Sequence, residues 1–430
     1  MKSFYKASLT FLTVLFLTAT VFSQNYSNGI FILNEGMIGT ETASISFIDE
    51  NGSLENNIFA SQNNGMSLGD TGQSIGFTED YAYVVLNYSN EVKVIDRNTF
   101  ELVTVITDQI ENPRHIAFFE GYGYVTNWGD AGNTTDDYIA IIDLETHAIT
   151  ETIAVAEGPE EILEADGKLV VAHEGGYSFG NTISVIDTST HEITIIEVGD
   201  VPSSIQVDDA NLYVLCTGKP DWSGDETMGA LYKVDLFDFQ NISAFLFQQT
   251  EHPEFLSLDT TALFYVLDGN IYKMAKSANS LPTVPFIDTT ADAVEIPYAF
   301  NKIDDKFYLG DAVDYVSNGK VLVYSEDGIL ETDYTVGQLP NSFYLTEAQT
   351  VSISDFEIAD ISLFPNPTSD VFSLNISENA ELVIYDFAGR KIKTTTYNNT
   401  AVSITDLNAG MYLVAIHMAG KTFTGKLIVQ

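Results

Sequence analysis

Residues 138–171 read YIAIIDLETHAITETIAVAEGPEEILEADGKLVV. Tyr138 to Ile142 form a β-branched run that ends on Asp143, and residues 144–147 are a polar turn. A second apolar run over 149–155 stops at Glu157-Gly158-Pro159. A short run over 160–165, an Asp166-Gly167 turn and a run over 168–172 complete the stretch. Apolar runs this short, with turn residues between them, predict strands rather than helices.

The same order recurs along the chain. Pro113, Pro159, Pro202, Pro253, Pro297 and Pro340 each follow a polar stretch and open an apolar run, at spacings of 46, 43, 51, 44 and 43 residues. Gly72, in LGDTGQSI, holds the equivalent place 41 residues before Pro113. Seven copies with a period in the low to middle forties, and four strands in each, predict an all-β, seven-bladed β-propeller over 24–347. Proline is tolerated at the first residue of a strand, where its missing N–H lies outside the ladder.

Asp49, Asp96, Asp143, Asp187 and Asp235 close the runs SISFID, VKVID, IAIID, ISVID and LYKVD. An aspartate there is expected to cap a type I turn through its own carboxylate. The sixth and seventh copies read IYKMAKS and VLVYSED and lose it. The first copy begins in mid-blade at Gly29, and residues 340–345 are a proline-led run with nothing after it. Together they make one blade, closing the ring with strands from both ends of the chain.

Tyr124-Val125-Thr126-Asn127, with the aspartate and proline positions, resembles the YVTN-type repeat of bacterial seven-bladed propellers over residues 29–347. The likeness implies a fold and leaves the function open.

Residues 1–23 read as a secretory signal peptide, with Lys2 and Lys6 before an apolar core over 7–22. No cysteine stands near the expected cleavage point, which excludes a lipoprotein anchor. Cys216 is the one cysteine, so no internal disulfide forms, and an inert, buried thiol is expected. The net charge is −43, of which the propeller region carries −42. That excess argues against nucleic-acid partners and makes calcium the cation to consider.

After a polar connector over 348–359, residues 360–430 hold seven short runs, predicting a small C-terminal β-sandwich. Leu363-Phe364-Pro365-Asn366-Pro367, Val383-Ile384-Tyr385-Asp386 with Gly389-Arg390, Gly410-Met411-Tyr412 and Lys426-Leu427-Ile428-Val429 resemble the C-terminal sorting domain of type IX secretion in Bacteroidetes. The resemblance implies the type IX machinery as partner and the cell surface or exterior as destination.

The loops joining second to third strands should open on the same face as the prolines. Four are long: NWGDAGNTTDD, HEGGYSFGN, TGKPDWSGDETMG and GDAVDYVSNG. Trp128, Trp222, Tyr88, Tyr177, Phe179 and Tyr315 all fall in this class of loop. Aromatics among Gly, Asp and Ser on a rigid scaffold predict a binding face. Arg114, Glu160, Ser203, Glu254, Tyr298 and Asn341, each just after a proline, are expected to line the channel mouth. There is no GxSxG, HExxH or phosphate loop, so no catalytic residue is assigned. Of six histidines, His115, His173 and His252 could approach the mouth. Propeller lactonases use a central calcium on acidic ligands, and Glu35, Glu160, Glu174, Glu254 and Asp311 are the residues that would serve.

GIFILNEG, LGDTGQSI, VVLNYSNEVKVID and YVTNWG are similar to exported Bacteroidetes propellers that capture corrinoids at the cell surface. That likeness implies a corrinoid-like ligand and a TonB-dependent outer-membrane transporter as partner. The chain departs from those proteins in carrying a sorting domain in place of a lipid anchor. A calcium-dependent hydrolase or lactonase and an adhesin-like interaction module are the alternatives.

Overall fold

The computed structural model describes residues 26–130, 132–208, 210–346, 363–376, 380–386, 391–405, 407, 409–418 and 421–430. The expected signal peptide (1–23) and connector (348–359) lie outside them. The chain divides into two compact units, Met1–Ala348 and Gln349–Gln430.

Among the described residues, the first unit is built from seven antiparallel sheets. In the fourth sheet the strands Pro159–Ala165, Lys168–His173, Thr182–Asp187 and Ile193–Glu197 pair in chain order. Each innermost strand packs beside the innermost strand of the next sheet, and Pro340–Leu345 returns to Gly72–Phe77 to complete the ring. This is a β-propeller. Its second strands are buried almost throughout, as in Ala262–Leu267. A strand packed on both faces reads as a continuous apolar run, without alternation. Outer strands such as Ala148–Ala154 are mostly exposed.

The ring closes as the split copy requires. Gly29–Asn34 pairs with Pro340–Leu345 on one side and with Ser44–Asp49 on the other, setting Ile32 opposite Phe343. Phe343, Ile30 and Ile32 are buried in one core with Tyr308 and Val323 of the seventh sheet. The repeated aspartates cap their turns: the Asp143 carboxylate accepts the N–H groups of Glu145 and Thr146, and that of Asp187 those of Ser189 and Thr190. The Ser189 hydroxyl, donating to Asp187 at 2.6 Å, together with these N–H bonds holds the Asp187 carboxyl down at about 2.

Four strands per copy is corrected at the sixth sheet, which has three: Glu254–Leu258, Ala262–Leu267 and Asn270–Ala275. The following segment carries Pro282 and Pro285, which cannot donate to a ladder. It meets the sheet at a single bridge, Ile271 to Ile287.

In the second unit the strands Leu363–Phe364, Val371–Leu374 and Val402–Ser403 form one sheet. Ala380–Asp386, Lys391–Tyr397, Gly410–Met418 and Lys421–Val429 form the other. Phe372, Leu374 and Val402 of the first share a core with Leu382, Ile384, Val414, Ile416 and Leu427 of the second. The unit is a small β-sandwich.

Candidate functional site at the channel mouth

One backbone device recurs at the head of the innermost strands. Pro159 stands opposite His173, but the next regular pair is Ile162 with Val171, so the register shifts between them. The same shift follows Gly72, Pro113, Pro202, Glu254 and Pro297. Such bulges bend a strand and re-aim its side chains. The residues they re-aim include Arg114, His115, Glu160, Glu161 and Tyr298. Just before the bulges, Thr71, Asn112, Val201 and Leu339 all hold positive φ, between 47° and 57°. For Thr71 and Val201, which are β-branched, this is strained backbone, and strain of this kind gathers at functional sites.

Arg114 sits at the centre. Its Nε and Nη2 donate to the Glu160 carboxylate at 2.7 and 2.9 Å, a bidentate pair. His115 Nε2 lies 3.4 Å from the same carboxylate. The guanidinium lies 4.0 Å from the centre of the Trp128 ring. Burial works against the Glu160 charge, but Arg114 and His115 hold its carboxyl well below the usual range. Glu174 has the opposite fate. Burial, and then the Glu160 charge, push its carboxyl up to about 8, with Arg114 pulling the other way. Glu35 is also raised by burial, against a 2.7 Å hydrogen bond donated by the Tyr298 hydroxyl. Glu161, whose position the sequence did not mark as special, accepts the Ile205 N–H at 2.7 Å and is raised by burial.

Around this charged centre runs an arc of aromatics from three adjacent sheets. Trp128 and Tyr177 meet edge-on with centroids 5.6 Å apart, and Phe179 and Trp222 lie 5.8 Å apart. Tyr177 is 67 % exposed and Trp222 77 %. Tyr177 and Phe179 share a loop whose base is fixed by glycines. Gly158, at φ 65°, packs so closely on Gly175 and Gly176 that a Cβ would lie 2.0 Å from the Gly176 nitrogen. On the other side Tyr298 and Tyr315 meet at 6.0 Å, and Tyr315 and Tyr88 are exposed.

Several expected residues have structural partners. Trp128 is part-buried and donates its indole N–H to the Pro159 carbonyl at 3.1 Å. Asp311 is wholly buried and accepts the N–H groups of Ile296 and Val313. His173 is buried against Ser184. His252 bonds Thr217 and Glu226. Ser203 meets Thr217, and Asn341 donates to the Gly72 carbonyl. Glu254 is exposed at the head of its strand. Cys216 is buried as expected, and burial pushes its thiol up. Among the described residues, no three His, Cys, Asp or Glu side chains are grouped to hold a metal ion.

A family model described as a domain of unknown function (DUF5074) matches residues 28–372. The chain belongs to the DUF5074 family. The secretion system C-terminal sorting domain matches residues 362–430, so this DUF5074 protein carries the type IX address to the cell surface or extracellular space. No curated protein matches the chain. Among solved structures, a quinonprotein alcohol dehydrogenase-like protein of Bacteroides thetaiotaomicron is similar at 18 % identity and TM-score 0.55, over 75 % of this chain and 79 % of that one. A hypothetical selenium-binding protein of Sulfolobus tokodaii is similar at 11 % identity and TM-score 0.55, over 74 % and 93 %. At these identities the likeness shows the propeller fold of the DUF5074 unit and nothing of its chemistry.

Proposed function

We propose that this protein is a surface-delivered, seven-bladed propeller of the YVTN type whose loop-rich face captures a bulky, ring-bearing nutrient, a corrinoid in the first instance. The observation that carries the reading is the aromatic arc. Tyr177, Phe179 and Trp222 hold large apolar faces in solvent, on loops of adjacent sheets, beside a desolvated charged centre. Exposed aromatics around a few convergent polar groups suit a broad, flat ligand edged with amides. In this reading Trp222, Tyr177, Phe179, Tyr88 and Tyr315 supply contact area. Arg114, Glu174, Glu35 and Tyr298 supply hydrogen bonds at the centre. A TonB-dependent outer-membrane transporter is the partner that would receive the ligand.

One observation favours a second, hydrolytic reading. Glu174, raised to about 8 beside the Glu160–Arg114 pair, has the protonation behaviour of a general acid. The residues present do not fit the calcium of propeller lactonases: Glu160 is paired with Arg114, Glu35 accepts the Tyr298 hydroxyl, and no three acids are grouped among the described residues. Calorimetry with cobalamin, with and without a chelator, separates the two. Capture predicts heat that survives chelation and weakens about tenfold or more in Trp222→Ala. Hydrolysis predicts turnover of a lactone panel that is abolished by Glu174→Gln.

A further inference from the structure

The sixth sheet has no fourth strand, whereas Asp238–Leu246 of the fifth sheet is the longest strand of the propeller at nine residues. Residues of these two sheets, with Lys276 and the segment after it, line a groove of about 400 Å3. None of the aromatic-arc residues lines it. Its apolar wall is Leu263, Met274 and Phe245, the first two buried.

The groove holds two ammonium groups over one ring. Lys233 Nζ lies 5.9 Å and Lys276 Nζ 5.7 Å from the centre of Tyr213. Lys276 is neutralised by Asp208 at 3.0 Å. That carboxylate also accepts the Tyr213 hydroxyl at 3.0 Å and the Asn211 N–H at 2.9 Å. The carboxylate that lines the groove itself, Asp235, accepts the N–H groups of Phe237 and Asp238 and the Asn241 side-chain amide. Among the described residues, the ammonium of Lys233, a part-buried residue, has no ion pair and no hydrogen bond. The chain holds 61 acidic and 18 basic residues, so a carboxylate partner would have been easy to supply. An ammonium that faces a groove over an aromatic ring, with no carboxylate on it, is placed to receive an anionic group by a charge-assisted hydrogen bond.

We propose that this groove binds a small anionic amphiphile, its single negative head on Lys233 beside the Tyr213 ring and its apolar body on Phe245, Leu263 and Met274. One charge on an apolar body is the class that fits, because a net charge of −43 repels a polyanion. The site is independent of the corrinoid reading. The test is calorimetry on the full secreted chain with 4-phenylbutyrate and its neutral amide, 4-phenylbutyramide. The acid should bind saturably and at least about tenfold tighter than the amide. Lys233→Met should erase that preference, Lys233→Arg should keep it, and both should leave cobalamin binding as in wild type. Three results would each overturn the proposal. They are equal binding of acid and amide by the wild type, wild-type binding of the acid by Lys233→Met, and no saturable heat from the acid up to about 10 mM. The wild-type comparison of acid with amide stands even where a variant fails to fold.

Discussion

The Arg114 guanidinium lies 4.0 Å from the Trp128 ring centre, and the Trp128 indole N–H is bonded to the Pro159 carbonyl at 3.1 Å. Trp128 is therefore the inner wall of the charged centre, and Trp222, 77 % exposed, is the free surface of the arc. The two tryptophans should respond differently to mutation. Trp128→Ala removes a packed ring and a stacking partner and should cost about 2–3 kcal/mol in urea unfolding. Trp222→Ala should change stability by less than about 0.5 kcal/mol. Equal losses in both would remove the distinction.

Phe343 and Ile32 close the ring from opposite ends of the propeller sequence. Phe343 is buried against Tyr308, with ring centroids 5.7 Å apart. Phe343→Ala should cost about 3 kcal/mol or more. The whole propeller should still unfold in one transition, since an open seam exposes the ladders on both sides. A two-step unfolding curve, with most sheets surviving the first step, would count against closure as the organising contact.

The Glu174 carboxyl is raised by burial to about 8, against an ordinary 4.5. A group with a raised folded-state value binds protons more readily when folded. Its stabilising contribution is complete below about 4.5 and is lost as pH rises through about 8. Replacing Glu174 with Gln should make the melting temperature of the variant, relative to wild type, climb between pH 5 and 9 by about 2 °C or more. Glu160, which is lowered, works in the opposite direction below its own range. A flat difference between the two proteins would show that Glu174 stays ionised.

The sorting domain matches residues 362–430. Deleting residues 355–430 should leave a folded propeller retained inside the cell envelope. Cell fractionation with a protease-accessibility assay checks this, and normal surface levels of the truncated chain would contradict it.

What was legible in the sequence was what depends on neighbours along the chain. Asp143 caps its turn through residues two and three positions away, so its role could be read locally. The prolines mark strand starts for the same reason, and the missing fourth strand had its sign in Pro282 and Pro285. What could not be read depends on opposing strands. The proline phase put Arg114 and Glu160 at the channel mouth, but the bulges after the prolines arise from register, so the Arg114–Glu160 pairing and the burial of Glu174 carried no periodic signal. Asp311 reads as an acidic ligand for a cation at the mouth, yet it is wholly buried and accepts the Ile296 and Val313 N–H groups. Trp128 looked free because its partners, Arg114 and Pro159, lie at the heads of two different innermost strands.

The most direct measurement is a calorimetric titration of cobalamin into the full secreted chain, with wild type beside Trp222→Ala and Tyr177→Ala. The account predicts saturable heat from the wild type and affinities at least about tenfold weaker, about 1.4 kcal/mol, in each variant. No heat across the micromolar range, or wild-type affinity in both variants, would contradict capture on the aromatic arc.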